Sequence, residues 1–401
     1  MKIVFVSLLL VLFFFSSYRM VGENVAVGAY GAYATYLLII TALLLFKVKK
    51  VEFNKSLLIL AGLFSFTAMM SAFFNSEIGL LVQSVIFFCL FLSTTVLLQT
   101  YFKGTLGKMI VLTLVIAHVP LVLIPLLTGG MVMFPYRGIF DNPNSFGMVT
   151  ATVFSVLLGA LLSKIDRVVF YKEKPSKLNI LIFFALAVSS FSLIVISASR
   201  TSFTTAIIST FAGLAVMFLF SIKHRRVLKM TYKLVLSLPF VAVFYFLINK
   251  VIPVNLYVQA VIFSKFERKS GDLLDGRTRV WIETIRDANP FGHGEQYFER
   301  QIGLGAHNTF IYIIGVYGWI PSILFISFFI AALYYCIRFV LNSDYEYKYL
   351  PLITLITFLG LSMAENQMFK IAMIVAFACL GLAANNKKII LTKSAKDHTV
   401  R

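Results

Sequence analysis

The sequence predicts an all-α integral membrane protein, a single polytopic domain over residues 1–401, and composition is the first reason. Of the 401 residues, 59% are hydrophobic and 13% charged, with a mean hydropathy of +0.89; a soluble domain carries about 25% charged residues. Span length is the second reason. A helix needs roughly 17–25 apolar residues to cross a hydrocarbon core of about 30 Å, and Val27 to Phe46, Ile78 to Leu98 and Phe203 to Ser221 each supply such a run. With the shorter stretches included, the prediction is about 12 transmembrane helices. The third reason is charge placement. Alternating spans put loops 47–56, 99–108, 163–178, 222–233 and 338–348 on one side with both termini, and these hold 24 of the 36 Lys and Arg and 6 of the 17 acids. That side carries +18 of the net +19, so the positive-inside rule makes it cytoplasmic. The basicity is a topology signal and implies the lipid bilayer, not nucleic acid, as a partner. Cys89, Cys336 and Cys379 lie in apolar spans and are odd in number, which predicts packing residues without a disulfide framework.

Taken in order, Ile3 to Ser16 behind Lys2 reads as a short first span, since no small-x-small cleavage site follows; its length is also that of a signal-peptide core. The second span, 27–46, ends in Lys47, Lys49 and Lys50 at the cytoplasm. The third and fourth, 57–74 and 78–98, turn outside at Asn75-Ser76-Glu77. The fifth, 109–127, carries His118, read as a neutral ring bonded to a neighbouring helix; a functional role is the other reading of an ionisable group in a span. Outside follow Arg137-Gly138 and Asn142-Pro143-Asn144, where Asn142 is a good N-cap and Pro143 a good first helical residue. The sixth span begins there. The seventh emerges at Ser197-Ala198-Ser199-Arg200-Thr201 and the eighth returns from Phe203, so a second arginine stands at an outward-facing helix start.

The ninth span, 234–249, leads into the one long polar segment, an extracytoplasmic loop over 250–307. In it Asp275-Gly276 caps a helix that stops before Pro290. Arg277, Val280, Trp281, Thr284, Ile285 and Ala288 would share its packed face, while Arg279, Glu283 and Arg286 share another. Arg279 thus has an in-helix partner, whereas Arg277 on the packed face requires an anion. Residues 308–337 are too long for one span, and Gly315, Gly318 and Pro321 interrupt them, which predicts a short helix from His307-Asn308 and a full span from Trp319. The last two spans, 349–364 and 368–384, leave Glu365 and Asn366 outside, and 385–401 forms a basic cytoplasmic tail.

Three outward-facing helix starts with Arg137, Arg200 and His307 nearby, joined by Arg277, describe an anion site at the membrane boundary. Helix N-termini favour phosphates, and guanidinium binds them in bidentate fashion. A single such arginine is as well explained as an interfacial anchor. The set suggests a polyprenyl diphosphate whose departure the arginines stabilise, with His307 as general base on an acceptor hydroxyl. His293, between Gly292 and Gly294, reads as a turn residue. No nucleotide-binding glycine pattern and no zinc-like Cys/His spacing is present, so no cofactor and no metal is expected.

The chain resembles the O-antigen ligase and O-antigen polymerase superfamily of bacterial membrane glycan transferases. The matching pieces are Arg137-Gly138 with Asn142-Pro143-Asn144, Ser199-Arg200-Thr201, Gly276-Arg277 with Trp281, Asn289-Pro290 with Gly292-His293-Gly294, and His307-Asn308 followed by Gly315 and Gly318. The resemblance implies a twelve-span fold of the GT-C type with one large periplasmic loop, in the bacterial inner membrane. It also implies metal-independent transfer of an undecaprenyl-diphosphate-linked glycan at the extracytoplasmic side. By the same implication His307, Arg277 and Arg200 are catalytic, and Arg137, Asn142, Asn144, Arg279, Trp281, His293 and Asn308 contact the substrates. His293 departs from the family, which usually has an apolar or aromatic residue there. A ligase would use lipid A core as acceptor and a polymerase a growing glycan, with room for a chain-length regulator; a lipid-linked glycan flippase is the alternative from another class.

Overall fold

The structure, a computed structural model, describes residues 53–127, 135–138, 140, 142–171, 177–228 and 276–384, with six isolated positions between 231 and 259. The described residues are helical and contain no strand. Their first helices are α1 (Lys55–Phe74), α2 (Ile78–Phe102), α3 (Leu106–Leu127), α4 (Pro143–Phe170), α5 (Lys177–Ile196) and α6 (Arg200–Lys223). After them come α7 (Arg277–Arg286), α8 (Thr309–Tyr317), α9 (Trp319–Asn342), α10 (Leu350–Ser362) and α11 (Ile371–Ala384). Among the described residues seven helices, α1 to α6 and α9, are long and apolar enough to cross a membrane, and α10 and α11 are shorter apolar helices. The chain is a multi-pass membrane protein. The spans expected over 3–16 and 27–46, the tail 385–401 and nearly all of 234–249 lie outside the described residues.

α4 is the axis of the bundle. Its membrane-length window is wholly buried inside the protein, and it packs against α5, α6 and α10. A helix buried on every side needs small residues where neighbours cross. A Cβ added at Gly147 would stand 2.6 Å from Ser199, and one at Gly159 would stand 3.0 Å from Leu350. α11 is likewise buried along its length. It lies against a π-helical stretch of α2, Leu92–Leu97, where Thr95 Oγ1 donates to the Phe377 carbonyl at 3.0 Å. Such a stretch widens one turn and lets a side chain leave its own ladder for a neighbouring helix.

The loops between the described helices gather at two ends. At the basic end, loop 343–349 is stapled to α4: Lys164 pairs with Glu346, Arg167 Nη1 donates to the Asp344 carbonyl at 2.8 Å, and Lys348 Nζ lies 2.9 Å from Asp166 Oδ2. Asp166 and Lys348 are both about 1% exposed, and the Lys348 ammonium stands 3.7 Å over the Phe220 ring of α6. At the other end stand the starts of α4, α6 and α8, as the sequence led us to expect.

Between α8 and α9 the chain breaks at Gly318 (φ +95°), and the polar loop mends the break. His293 and Gly294 N–H donate to the Gly315 and Val316 carbonyls at 2.9 and 3.2 Å, while Trp319 and Ile320 N–H donate to the Asn289 and Pro290 carbonyls at 3.0 and 3.3 Å. Helix ends leave such groups without intrahelical partners, and an extended backbone laid across the gap supplies them. Only glycine fits the crossing. Gly292 has φ +71°, and a Cβ there would stand 2.2 Å from the Val316 carbonyl oxygen.

Candidate functional site

α7 is amphipathic and starts after Gly276, whose φ of +82° is left-handed. Gly276 offers no side-chain cap, and Asp275 lies outside the described residues. The helix ends at Arg286, two residues short of the expected Ala288. Val280 and Thr284 are buried, but Ile285, expected on the same face, is 58% exposed. Eight residues beyond Arg277 is about 80° further round a helix of 3.6 residues per turn, enough to leave the contact. Arg279 Nε lies 3.6 Å from Glu283 Oε1, the in-helix pair that the spacing predicts, and its side chain is 69% exposed. Trp281 Nε1 donates to the Ala306 carbonyl at 2.9 Å, so the indole braces the residue before His307.

His307 is in the left-handed region at φ +45°. A non-glycine residue held there stores strain that the surroundings must hold in place. Asn308 does much of the holding. It caps α8 by accepting from Phe310 and Ile311 N–H at 2.8 and 3.2 Å, and its Nδ2 donates to the Met363 carbonyl at 3.0 Å. Both ends of this 2% exposed amide serve the fold, so Asn308 aims its neighbour and has little left to offer a substrate. Thr309 fastens the same helix start to the 363–370 turn. Its hydroxyl donates to the Glu365 carbonyl at 3.2 Å and accepts from Gln367 N–H at 2.9 Å.

These contacts join His307 and Arg277 through Glu365. His307 Nδ1 lies 3.2 Å from Glu365 Oε2, while Arg277 Nη2 lies 3.7 Å from Oε1 and its Nη1 donates to the Ala364 carbonyl at 2.8 Å. Arg277 therefore finds an anion within the chain. A carboxylate at Nδ1 fixes that nitrogen as the protonated one and leaves Nε2 basic. The His307 ring is 37% exposed, and Gly305 beside it adds no bulk, since even a Cβ would stand 3.7 Å from Nε2. Sequence reasoning put Glu365 outside without giving it a role. Its signal was an acidic residue in a short outer turn, opposite in charge to the two residues already singled out.

Arg137 and Arg200 belong to the same end. Tyr136 N–H donates to the Ile196 carbonyl at 2.9 Å, tying the Arg137 segment to the turn before α6. Arg200 is the first residue of α6, behind the N-cap Ser199, so that helix begins three residues earlier than expected. Asn142 caps α4, accepting from Asn144 N–H at 2.7 Å, with Pro143 in the first turn. Gln367 Nε2 reaches Met148 Sδ of α4 at 2.8 Å, and Gly360 of α10 abuts Thr205 of α6, so the turn that carries Glu365 rests on the opening turns of α4 and α6. His293 stands apart in the splice. Its Nε2 is 2.8 Å from the Asp287 carbonyl, its Nδ1 is 3.3 Å from Asn289 Nδ2, and its ring stacks on Tyr297 at 4.6 Å. This is the turn role its sequence predicts. His118 Nε2 bonds Ser189 Oγ of α5 at 2.9 Å, as a packed ring joining two helices does. Among the described residues no three His, Cys, Asp or Glu side chains gather as metal ligands would.

Fold and site together define a polytopic membrane protein with a His–Glu–Arg cluster at one end of its bundle, beside the starts of three helices. No family model matches the chain and no curated protein matches it.

Proposed function

We propose that the protein is a glycosyltransferase of the O-antigen ligase type. It would move a glycan from an undecaprenyl-diphosphate carrier to an acceptor hydroxyl at the extracytoplasmic face of the inner membrane, without a metal. The observation that carries this reading is the bridging of His307 and Arg277 by Glu365. A base whose far nitrogen is held by a carboxylate is the arrangement that general-base chemistry needs. In the proposed step His307 Nε2 takes the proton from the acceptor hydroxyl as its oxygen bonds to the sugar C1. The C1–O bond to the carrier breaks, and its electron pair leaves with the diphosphate. Glu365 steadies the imidazolium, and the growing diphosphate charge faces Arg277, Arg200 and the α4 and α6 N-termini. Arg137, Asn142 and Asn144 line the same end and suit a donor contact. Arg279 and Trp281 suit the rim, the first as an exposed charge and the second as a brace.

The motif resemblance supports the same reading and extends it to a polymerase, which would differ in acceptor alone. Purified protein is given undecaprenyl-diphosphate-linked glycan and a panel of lipid A core and glycan acceptors in EDTA, with Arg277→Ala in parallel. Transfer by the wild type and its loss in the variant are expected. Lipid movement across liposomes without transfer to any acceptor would replace this reading with a flippase.

A further inference from the structure

A second polar chain runs through the same end of the molecule. Tyr317, the last residue of α8, is 1% exposed, and its hydroxyl donates to Gln83 Oε1 of α2 at 2.9 Å. Gln83 Nε2 donates in turn to Glu295 Oε1 at 3.0 Å, and Glu295 N–H donates to Glu77 Oε2 at 2.7 Å. The Glu295 carboxylate is seated at the first turn of α2, where a Cβ on Gly79 would stand 2.8 Å from Oε2; a helix start favours an anion there. One amide therefore bridges a buried phenol and an anchored carboxylate, and each partner fixes which end of the amide faces it.

We propose that Gln83 is a positioning residue for His307, acting through Tyr317 and α8; in its catalytic consequence this rests on the transferase reading above. α8 is nine residues long, about 13 Å at 1.5 Å per residue, and so short a helix moves as a rod. Its start is His307-Asn308 and its end is Tyr317. Ahead of Ala306, which Trp281 braces, the chain is open: Gly303 has φ +75° with open space around it, and Leu304 and Gly305 are exposed. The far end of the rod is therefore one more anchor for the imidazole, beside the Asn308, Thr309 and Glu365 bonds at its start. Removing the Gln83 amide takes one bond from the Tyr317 hydroxyl and loosens that end of the rod, and a displacement near 1 Å at a reacting group can cost about 100-fold in rate.

The test uses Gln83→Ala and, in case that variant folds poorly, Tyr317→Phe, which removes a single oxygen. Amide hydrogen exchange over 303–308 in nanodiscs reads the position of the His307 segment, and donor kinetics read its consequence. Faster exchange is expected there, with kcat down by roughly 10- to 100-fold, donor KM within about twofold and the protein still folded at the assay temperature. Unchanged exchange overturns the positioning role whatever the assay gives. A fall in melting temperature that accounts for the lost activity overturns it too. A wild type that transfers to no acceptor removes the transferase reading alone, and exchange still decides the positioning.

Discussion

His307 is held by what surrounds it, and its backbone angle of +45° measures how firmly. The Asn308 cap, the Trp281 bond to Ala306 and the Glu365 carboxylate each fix one side of it. Each can be removed singly. His307→Ala is expected to lower kcat by about 10²–10⁴, the usual contribution of a positioned base, with donor binding kept. Glu365→Gln keeps the shape but loses the charge that steadies the imidazolium, and is expected to lower kcat by at least about tenfold without loss of fold. Steady-state kinetics beside melting curves check both, and an unaltered kcat in Glu365→Gln would remove the carboxylate from the mechanism. These residues were unequally legible. His307 and Arg277 stood out as polar residues beside helix starts in an apolar chain, whereas Glu365 lies 58 residues beyond His307 and nothing local says that the two meet.

At the scale of the element, the splice between α8 and α9 and the staple on α4 make opposite demands. The splice depends on backbone, so its sensitive residues are glycines. Gly292→Ala meets both a left-handed angle, worth roughly 1–2 kcal/mol, and the Val316 carbonyl, and is expected to destabilise strongly. Gly104→Ala, where a Cβ meets nothing within 4 Å, is expected to be silent in the same melting assay. The staple depends on charge. Asp166→Asn or Lys348→Met removes the opposite charge from a buried ion, which costs roughly 3–5 kcal/mol, while a double change to apolar residues of similar volume is expected to recover most of that. A double variant no more stable than the single ones would mean that the pair is needed for something besides packing. Of the three interruptions expected at Gly315, Gly318 and Pro321, only Gly318 breaks the chain; Gly315 lies within α8 and Pro321 in the first turn of α9, where a proline has no intrahelical bond to lose. That the Asn289–Gly294 segment mends the break needed the structure, since its hydrogen bonds join backbones 22 to 30 residues apart and leave no periodicity to read.

For the whole molecule, the two ends differ in what their loops do. One end is closed by basic side chains on α4 and the 343–349 loop, and the other gathers the helix starts and the His–Glu–Arg cluster. The charge asymmetry predicts that the basic end is cytoplasmic, which labelling can check in a background without Cys89, Cys336 and Cys379. Gln296→Cys is expected to react with an impermeant maleimide in intact cells, and Lys108→Cys only after permeabilisation; the reverse pattern would put the site on the cytoplasmic side. Apolar run length determined the membrane class and most of the helix bounds, because crossing a bilayer constrains each segment by itself. The caps made by the Asn142 and Asn308 side-chain oxygens are local in the same sense, since each oxygen bonds its own helix's first turn. Tertiary structure alone decided the Glu365 bridge, the splice, and the Gln83–Tyr317 contact 234 positions apart. Long-range polar contacts are chosen by which helix ends meet once the bundle has packed, and that choice is written in the shape of every helix at once.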